Sequence, residues 1–423
     1  MTYTQILLEV LSAFVLLLVF FWLMVYFEIS DTRRERLKKN KLPLIAVIIP
    51  TLFEGKDLAL SIKSVLKSDF PKNKIRIYVA LNKATDGITR DFAYSFKDRG
   101  VRVVETHLNG KAAVMNYVLK HVIKKERFFL TLDADSVADK NLIKRLLSGF
   151  KDEKTGVVTP SVAVYKPKKA VELIQKYDYL FSIVLRKAFS HVGNLLVAPG
   201  PGSMFRTSAV REVGYFDENN VTEDMEIAIR LLLHGYNVEN RIDAFSYTIV
   251  PTSVSSLLKQ RVRWYSGFFF NMFKYRKRIT NDKRNGLIDK NIMLLIFASV
   301  FLSMLALPLV AYYIYIGITY AYTLIANVGI VFLSSQIYSE MLSIMFSVDT
   351  LSFLSIMLLI FGAYSMFYAI KLVNKRLNAV KDTLGVAIYV ALFSYFLGLT
   401  WMYGFINATV FRRSMMWKIK NRN

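Results

Sequence analysis

The sequence predicts an α/β domain built on a parallel β-sheet, joined to an α-helical domain that spans a membrane. Three observations carry this. Hydrophobic residues make up 54% of the 423, above the roughly 45–50% of a soluble domain. Long apolar runs gather at the two ends of the chain. Between them, short β-rich runs alternate with amphipathic, charged stretches, the pattern of a sheet with helices on both faces.

The elements follow in order. Residues 6–27 form one apolar run, broken near its start by Glu9; a bilayer needs about 20 such residues. Arg33, Arg34, Arg36, Lys38, Lys39 and Lys41 follow it. A secretory signal carries its charges before the apolar run, so residues 1–30 read as a retained transmembrane helix with a cytoplasmic basic flank. The α/β domain occupies 42–255, enough chain to bury a core. Its strands are expected at 46–50, 75–81, 101–105 and 128–133, with helices at 57–68 and 111–124. Residues 256–284 read as interfacial amphipathic helices. Residues 285–423 carry further spans, at 291–316, 317–337, 351–372 and 384–410. They end in a basic tail (Arg412, Arg413, Lys418, Lys420, Arg422) placed inside the cell. The expected location is the plasma membrane, with the α/β domain in the cytoplasm.

Composition excludes several classes. There is no cysteine, which removes disulfide scaffolds, Cys-ligated zinc and thiol catalysis. The net charge is +24, which basic loops and a membrane-facing surface account for. No zinc-finger, RNP or basic-zipper pattern is present, so nucleic acid is not an expected partner. His107, His121, His191 and His234 are scattered, without a metal or triad spacing.

The residues that carry chemistry sit where the strands end, which is where open α/β sheets bind ligands. Pro50 stops the first strand, and Thr51 and Glu54 offer polar contacts after it. Asn82 opens a turn (NKATDG) after the second strand and is placed to touch a nucleotide base. Asn109–Gly110–Lys111 leads into a helix whose N-terminus, with the Lys111 charge, suits phosphate; the second half of a Walker A loop is missing. Asp133 and Asp135 follow the apolar run FFLTL. At i and i+2 on a strand they point to one side, and such hard oxygen donors suit Mg²⁺ or Mn²⁺. Thr222 reads as a helix cap, with Glu223 and Asp224 in the first turn. Asp224 there is a candidate general base. Gln260, Arg263 and Trp264 lie in the amphipathic stretch before the membrane, where Arg suits diphosphate and Trp a sugar face. The loop Gly200–Pro201–Gly202 reads as a flexible active-site loop.

The order of these motifs, DxD then TED then QxxRW, resembles the membrane-integral glycosyltransferases of family 2, the group of cellulose, chitin, hyaluronan and poly-N-acetylglucosamine synthases. The resemblance covers 47–270. It implies a GT-A (Rossmann-like) fold and inverting, single-step transfer from a nucleotide-sugar, a UDP-hexose, UDP-N-acetylglucosamine or GDP-mannose, to a growing β-linked glycan. It implies that Pro50, Thr51, Glu54, Asn82, Lys111 and Asp133 hold the nucleotide, and that Asp133 and Asp135 hold Mg²⁺ or Mn²⁺ on the diphosphate. Asp224 becomes the base, while Glu223, Gln260, Arg263 and Trp264 bind acceptor and diphosphate. One position departs from the pattern: Asn82 stands where the family usually has Asp, which tilts the expectation toward UDP-sugars. Two other readings remain. A related class adds one sugar to a polyprenyl phosphate, but generally lacks the leading helix and QxxRW. A non-enzymatic transporter or scaffold would carry mid-membrane charges, which the C-terminal runs lack.

Overall fold

The computed structural model describes residues 42–193, 195–281 and 393–410. Shorter stretches lie at 315–323, 325–327, 366–371 and 379–389, with single residues 335, 339 and 364. Eight strands form one sheet in the order β3-β2-β1-β4-β7-β6-β8-β5. They are β1 (Ile45–Thr51), β2 (Ile75–Leu81), β3 (Val101–Glu105), β4 (Phe128–Thr131), β5 (Ser136–Ala138), β6 (Thr155–Val164), β7 (Met204–Arg206) and β8 (Asn237–Thr248). The four strands expected from sequence are the parallel half, β3-β2-β1-β4. The other half is mixed: β7 runs antiparallel to both β4 and β6, β6 parallel to β8, and β5 antiparallel to β8. The expected all-parallel sheet is therefore corrected. The short β5 and β7 segments are too brief to show a period of their own.

Alternation along β1 explains the two covered faces. Ile45, Val47 and Ile49 enter one core with Leu58, Ile62 and Val65 of α1 (Lys56–Leu66) and Leu142, Ile143 and Leu146 of α4 (Leu142–Leu147). Ala46 and Ile48 enter the other, with α3 (Lys111–Tyr117), α6 (Thr207–Glu212) and α7 (Glu223–Leu233). A buried strand covered on both faces reads as an unbroken apolar run, which is what IAVIIPT is. Pro50 does not stop this strand. It lies within it, opposite Ala80, and the pairing runs on to Thr51. The helix expected at 111–124 ends at Tyr117 and passes into a wider π turn, Val118–Val122.

α2 (Gly87–Tyr94) is capped by Asp86, whose carboxylate accepts from the Thr89 N–H. Long α5 (Ala170–His191) leads into the Gly200–Gly202 loop. Residues expected as separate interfacial helices form one helix, α8 (Val254–Asn281). Two C-terminal helices are described, α9 (Ala379–Ile388) and α10 (Ser394–Thr409). α10 lies along α8: Tyr265 stacks on Trp401 at 4.1 Å, and a Cβ on Gly404 would sit 2.8 Å from Tyr265 Cβ.

Among the described residues no helix is long and apolar enough to cross a membrane. The spans expected at 6–27, 291–316, 317–337 and 351–372 lie outside the described residues, apart from short pieces. The described part of 384–410 is the end of α9 and all of α10.

Candidate active site

Strand order reverses at β1: β2 and β3 lie to one side, β4 to the other. That switch point opens a crevice beyond the carboxyl ends of the strands. Thr51 ends β1, Asn82 follows β2, and the Asp133–Asp135 turn follows β4. Three of the sequence motifs are thus brought to one edge.

Loops beyond β1 and β2 are cross-tied. Thr51 accepts from the Asn82 N–H at 3.3 Å through its carbonyl and from Thr85 Oγ1 at 3.1 Å. The Gly55 N–H donates to Thr89 Oγ1 at 2.8 Å. Glu54 folds back to accept from the Leu52 N–H at 2.6 Å. Burial raises its pKa, helped by the charges of Asp133 and Asp86. Asn82 is buried, and its Oδ1 accepts from the Ala84 N–H at 3.1 Å. Because a backbone N–H needs an acceptor, that bond also fixes which end of the amide is oxygen. The NH₂ end therefore points away from the turn.

Asp133 and Asp135 do not lie on one strand. β4 ends at Thr131, and the two carboxylates occupy the turn to β5, closed by the Ser136 N–H to the Asp133 carbonyl at 2.9 Å. The Leu132 N–H still donates to the Ile48 carbonyl and the Gly202 N–H to the Thr131 carbonyl, and the chain turns directly after these bonds. Burial, then the charge of Asp133, pushes Asp135 up to about 7, against the pull of Ser136 Oγ at 3.1 Å.

Lys111 is not left free for phosphate. Its Nζ sits 2.6 Å from Asp133 Oδ1 and 3.1 Å from Glu223 Oε1. Burial lowers its pKa, but Asp133, Glu223 and Asp224 outweigh that and hold it above the usual lysine value. This one cation ties the β4 turn to the first turn of α7. Gly200 makes room for it: a Cβ there would lie 2.5 Å from Lys111 Nζ and 2.8 Å from both Asp133 carboxylate oxygens. The Gly200 loop is thus packed against the charged centre, and Gly202, at φ +104°, bonds to Thr131.

Asp224 closes the group. Its Oδ1 accepts from the Met225 N–H at 2.9 Å, and its carbonyl accepts from the Ala198 N–H at 3.2 Å. Burial, then the Glu223 charge, raises it to about 6, with Lys111 pulling the other way. Thr222 does not cap α7; its hydroxyl turns instead to Asn220 and Asn271.

In the QRVRW segment the buried arginine is Arg261, not Arg263. Arg261 is 4% exposed, pairs with Asp178 at 2.6 Å, and lies over the Trp264 ring at 4.4 Å. Arg263 is exposed. Two residues apart on a helix, they face nearly opposite sides, a signal the sequence already carries. Trp264 packs on Val162, Val164, Tyr179 and Val250. Gln260 keeps a buried Oε1 without a hydrogen-bond partner among the described residues. Sequence reasoning misses Asp178 and Arg261, because their pairing spans two elements far apart in the chain.

The arrangement is a buried carboxylate of raised pKa, a partly buried cation and paired carboxylates at the switch point of an α/β sheet. A family model described as glycosyl transferase family group 2 matches residues 128–415, about two-thirds of the chain. The chain belongs to this family. The match begins at β4, so it takes in Asp133, Asp135, Asp224 and the QxxRW segment of this family 2 glycosyltransferase. Over 251 residues, 57% of the chain, it is 27% identical to a poly-β-1,6-N-acetyl-D-glucosamine synthase of Staphylococcus epidermidis, of which that region is 60%. Over 259 residues it is also 27% identical to the synthase of that name from Staphylococcus aureus strain COL, covering 58% of this chain and 62% of that one. The chain thus spans about three-fifths of the length of the curated relatives it matches. Its fold is similar to that of the mannosyltransferase PcManGT from Pyrobaculum calidifontis, a structure in complex with GDP-Man and Mn²⁺. The TM-score is 0.54 at 18% identity, covering 88% of this chain and all of that one. The GT-A-like fold of this family 2 glycosyltransferase is thereby shown.

Proposed function

We propose that this chain transfers a sugar with inversion, from a nucleotide-sugar to a growing β-linked glycan, at the cytoplasmic face of the plasma membrane. The observation that carries the reading is Lys111, which gathers Asp133 and Glu223, with Asp224 beside it, at the sheet's switch point. Asp224 takes the proton from the acceptor hydroxyl; burial gives it the raised basicity that this requires. No covalent nucleophile is needed for single-step inversion.

Among the described residues no cluster of three or more His, Asp or Glu side chains could hold a metal alone. The donor chemistry nonetheless fits a hard divalent cation. Asp133 and Asp135 are paired oxygen donors in mutual repulsion, and a diphosphate would complete the shell. When bound, Mg²⁺ or Mn²⁺ stabilises the charge of the departing nucleotide diphosphate. On this reading Pro50, Thr51, Glu54 and Asn82 hold the nucleotide, while Glu223, Gln260, Arg263 and Trp264 bind acceptor and diphosphate. The bilayer is the proposed seat of the apolar ends, and a polyprenyl phosphate remains the alternative acceptor.

The test is nucleotide release from the full chain in detergent, with UDP-N-acetylglucosamine, UDP-glucose, UDP-galactose and GDP-mannose offered separately with Mn²⁺. UDP-N-acetylglucosamine comes first because the curated relatives are N-acetylglucosamine polymer synthases. Metal-dependent release from one donor supports the reading; release from none, with glycan acceptor supplied, overturns it.

Asn82 supplies a separate expectation. Asn82→Asp turns the donor facing the base into an acceptor. Uracil carries an N3–H there and cytosine a bare N3, so the ratio of UDP to CDP affinity is expected to rise several-fold, about 1 kcal/mol for one hydrogen bond. Equilibrium titration of both nucleotides checks this, and an unchanged ratio means Asn82 does not face the base.

A further inference from the structure

We propose that Asn271 is a positioning residue for the reaction, fixing the Glu223–Asp224 turn to α8 so that this helix sets where the base stands. The inference rests on the transferase reading above.

A closed ring of side chains carries it. Asn271 Oδ1 accepts from Asn220 Nδ2 at 2.6 Å, and Asn271 Nδ2 donates to Thr222 Oγ1 at 3.0 Å. Thr222 Oγ1 donates in turn to Asn220 Oδ1 at 3.2 Å, which also accepts from the Thr222 N–H at 3.0 Å. Asn220, Thr222 and Asn271 are all buried, and Asn271 has no exposed surface. A residue suited to cap α7 has therefore given up the cap for a bond to another helix. Buried polar groups that satisfy one another specify a single arrangement, and losing one partner strands the rest.

A steric contact points the same way. Gly267 lies one turn before Asn271 on the same face of α8. A Cβ there would collide with Thr222 Oγ1 and Cγ2. Helix α8 thus meets the turn before Asp224 at two successive levels, one by close approach and one by hydrogen bond. The neighbouring residues of α8 hold α10: Ser266 Oγ accepts from Asn407 Nδ2 at 3.3 Å, and Tyr265 stacks on Trp401. A continuous packed line runs from α10 through α8 to the residue two before Asp224. A shift of α8 along this line moves the base relative to Asp133 and Asp135, which sit in the turn after β4 and meet this line only through Lys111.

The test uses the full chain in detergent, with turnover counted per nucleotide-binding site from UDP titration of the same sample. Asn271→Leu and Thr222→Val keep volume and remove the bonds. Each is expected to lower kcat per site about tenfold or more, with the UDP Kd within about twofold. Thr222→Ser keeps the hydroxyl and is expected to retain the native rate. The double variant is expected to be no slower than the single ones, since the groups act as one unit. The acid limb of the pH–rate profile should also move, which loss of folded protein alone does not cause. Native kcat per site in Asn271→Leu overturns the inference, as do an equal loss in Thr222→Ser or fully additive losses. If the native chain turns over no donor, the transferase reading itself fails, a distinguishable outcome.

Discussion

Asp224→Asn is expected to leave UDP binding intact and to slow transfer by about 10²–10⁴-fold, the span of a positioned general base. The carboxylate accepts the acceptor proton only when ionised. With its pKa raised to about 6, the native rate should fall as pH drops through 6 and be level above it. The variant should lose that limb. Stability should move the other way. An acid whose folded pKa exceeds its unfolded value contributes stability that is full below the unfolded value, near 4, and is lost as pH rises through 6. Above pH 6 the native carboxylate is therefore a cost, of about 3 kcal/mol, and Asn removes it. Differential scanning at pH 7.5 should show a higher midpoint for the variant. A slow variant with a lower midpoint would mean that Asp224 is a structural residue. Activity traded against stability is the usual mark of a catalytic group.

Lys111→Met is expected to destabilise the chain by about 3 kcal/mol, the cost of stranding one side of a largely buried ion pair. Water reaches this group in part, the lysine side chain being 29% exposed, which tempers the loss. Lys111 has its folded pKa above the unfolded value, so its contribution is full at all working pH and is lost only on raising pH through the folded value. The second consequence is on the rate. Lys111 lowers the pKa of Asp224, so its removal should carry the acid limb of the profile above 6. Denaturant titration and a pH–rate series read the two effects separately. A limb that stays at 6 would show that the two groups do not sense each other, and the one-centre reading of the site would fall.

Part of the fold and of the site is legible in the residues alone. Unbroken apolar runs such as IAVIIP and FFLTL announce strands covered on both faces, and β1 to β4 lie where those runs are. The turn chemistry NKATDG marks the turn that carries Asn82 after β2. Residue type marks Asp133, Asp135 and Asp224, since paired acids after an apolar strand need a counter-charge. The expectation that Pro50 ends β1 fails because β4 pairs with β1 only as far as Ile48, so the missing N–H of Pro50 faces a side with no ladder partner, while the pairing with β2 runs on to Thr51. The placement of Asp133 and Asp135 on a strand fails because the chain turns directly after Leu132, closed by the Ser136 N–H on the Asp133 carbonyl, a bond the apolar run does not announce.

What the sequence by itself determined is the set of elements and the kind of chemistry: periodicity and residue type are local, and they fix strands, helices and candidate acids. Tertiary structure alone decided who meets whom. Lys111 suits phosphate and instead pairs with Asp133 and Glu223, two acids far apart in the chain. Arg263 fits the QxxRW pattern, yet Arg261 is the arginine that pairs with Asp178 in the interior. Thr222 suits a cap and bonds to another helix. In each case a plausible local partner gives way to a distant one. A buried charge or hydroxyl must be satisfied by whatever the fold brings within about 3 Å, and that choice is made by packing across the chain rather than along it.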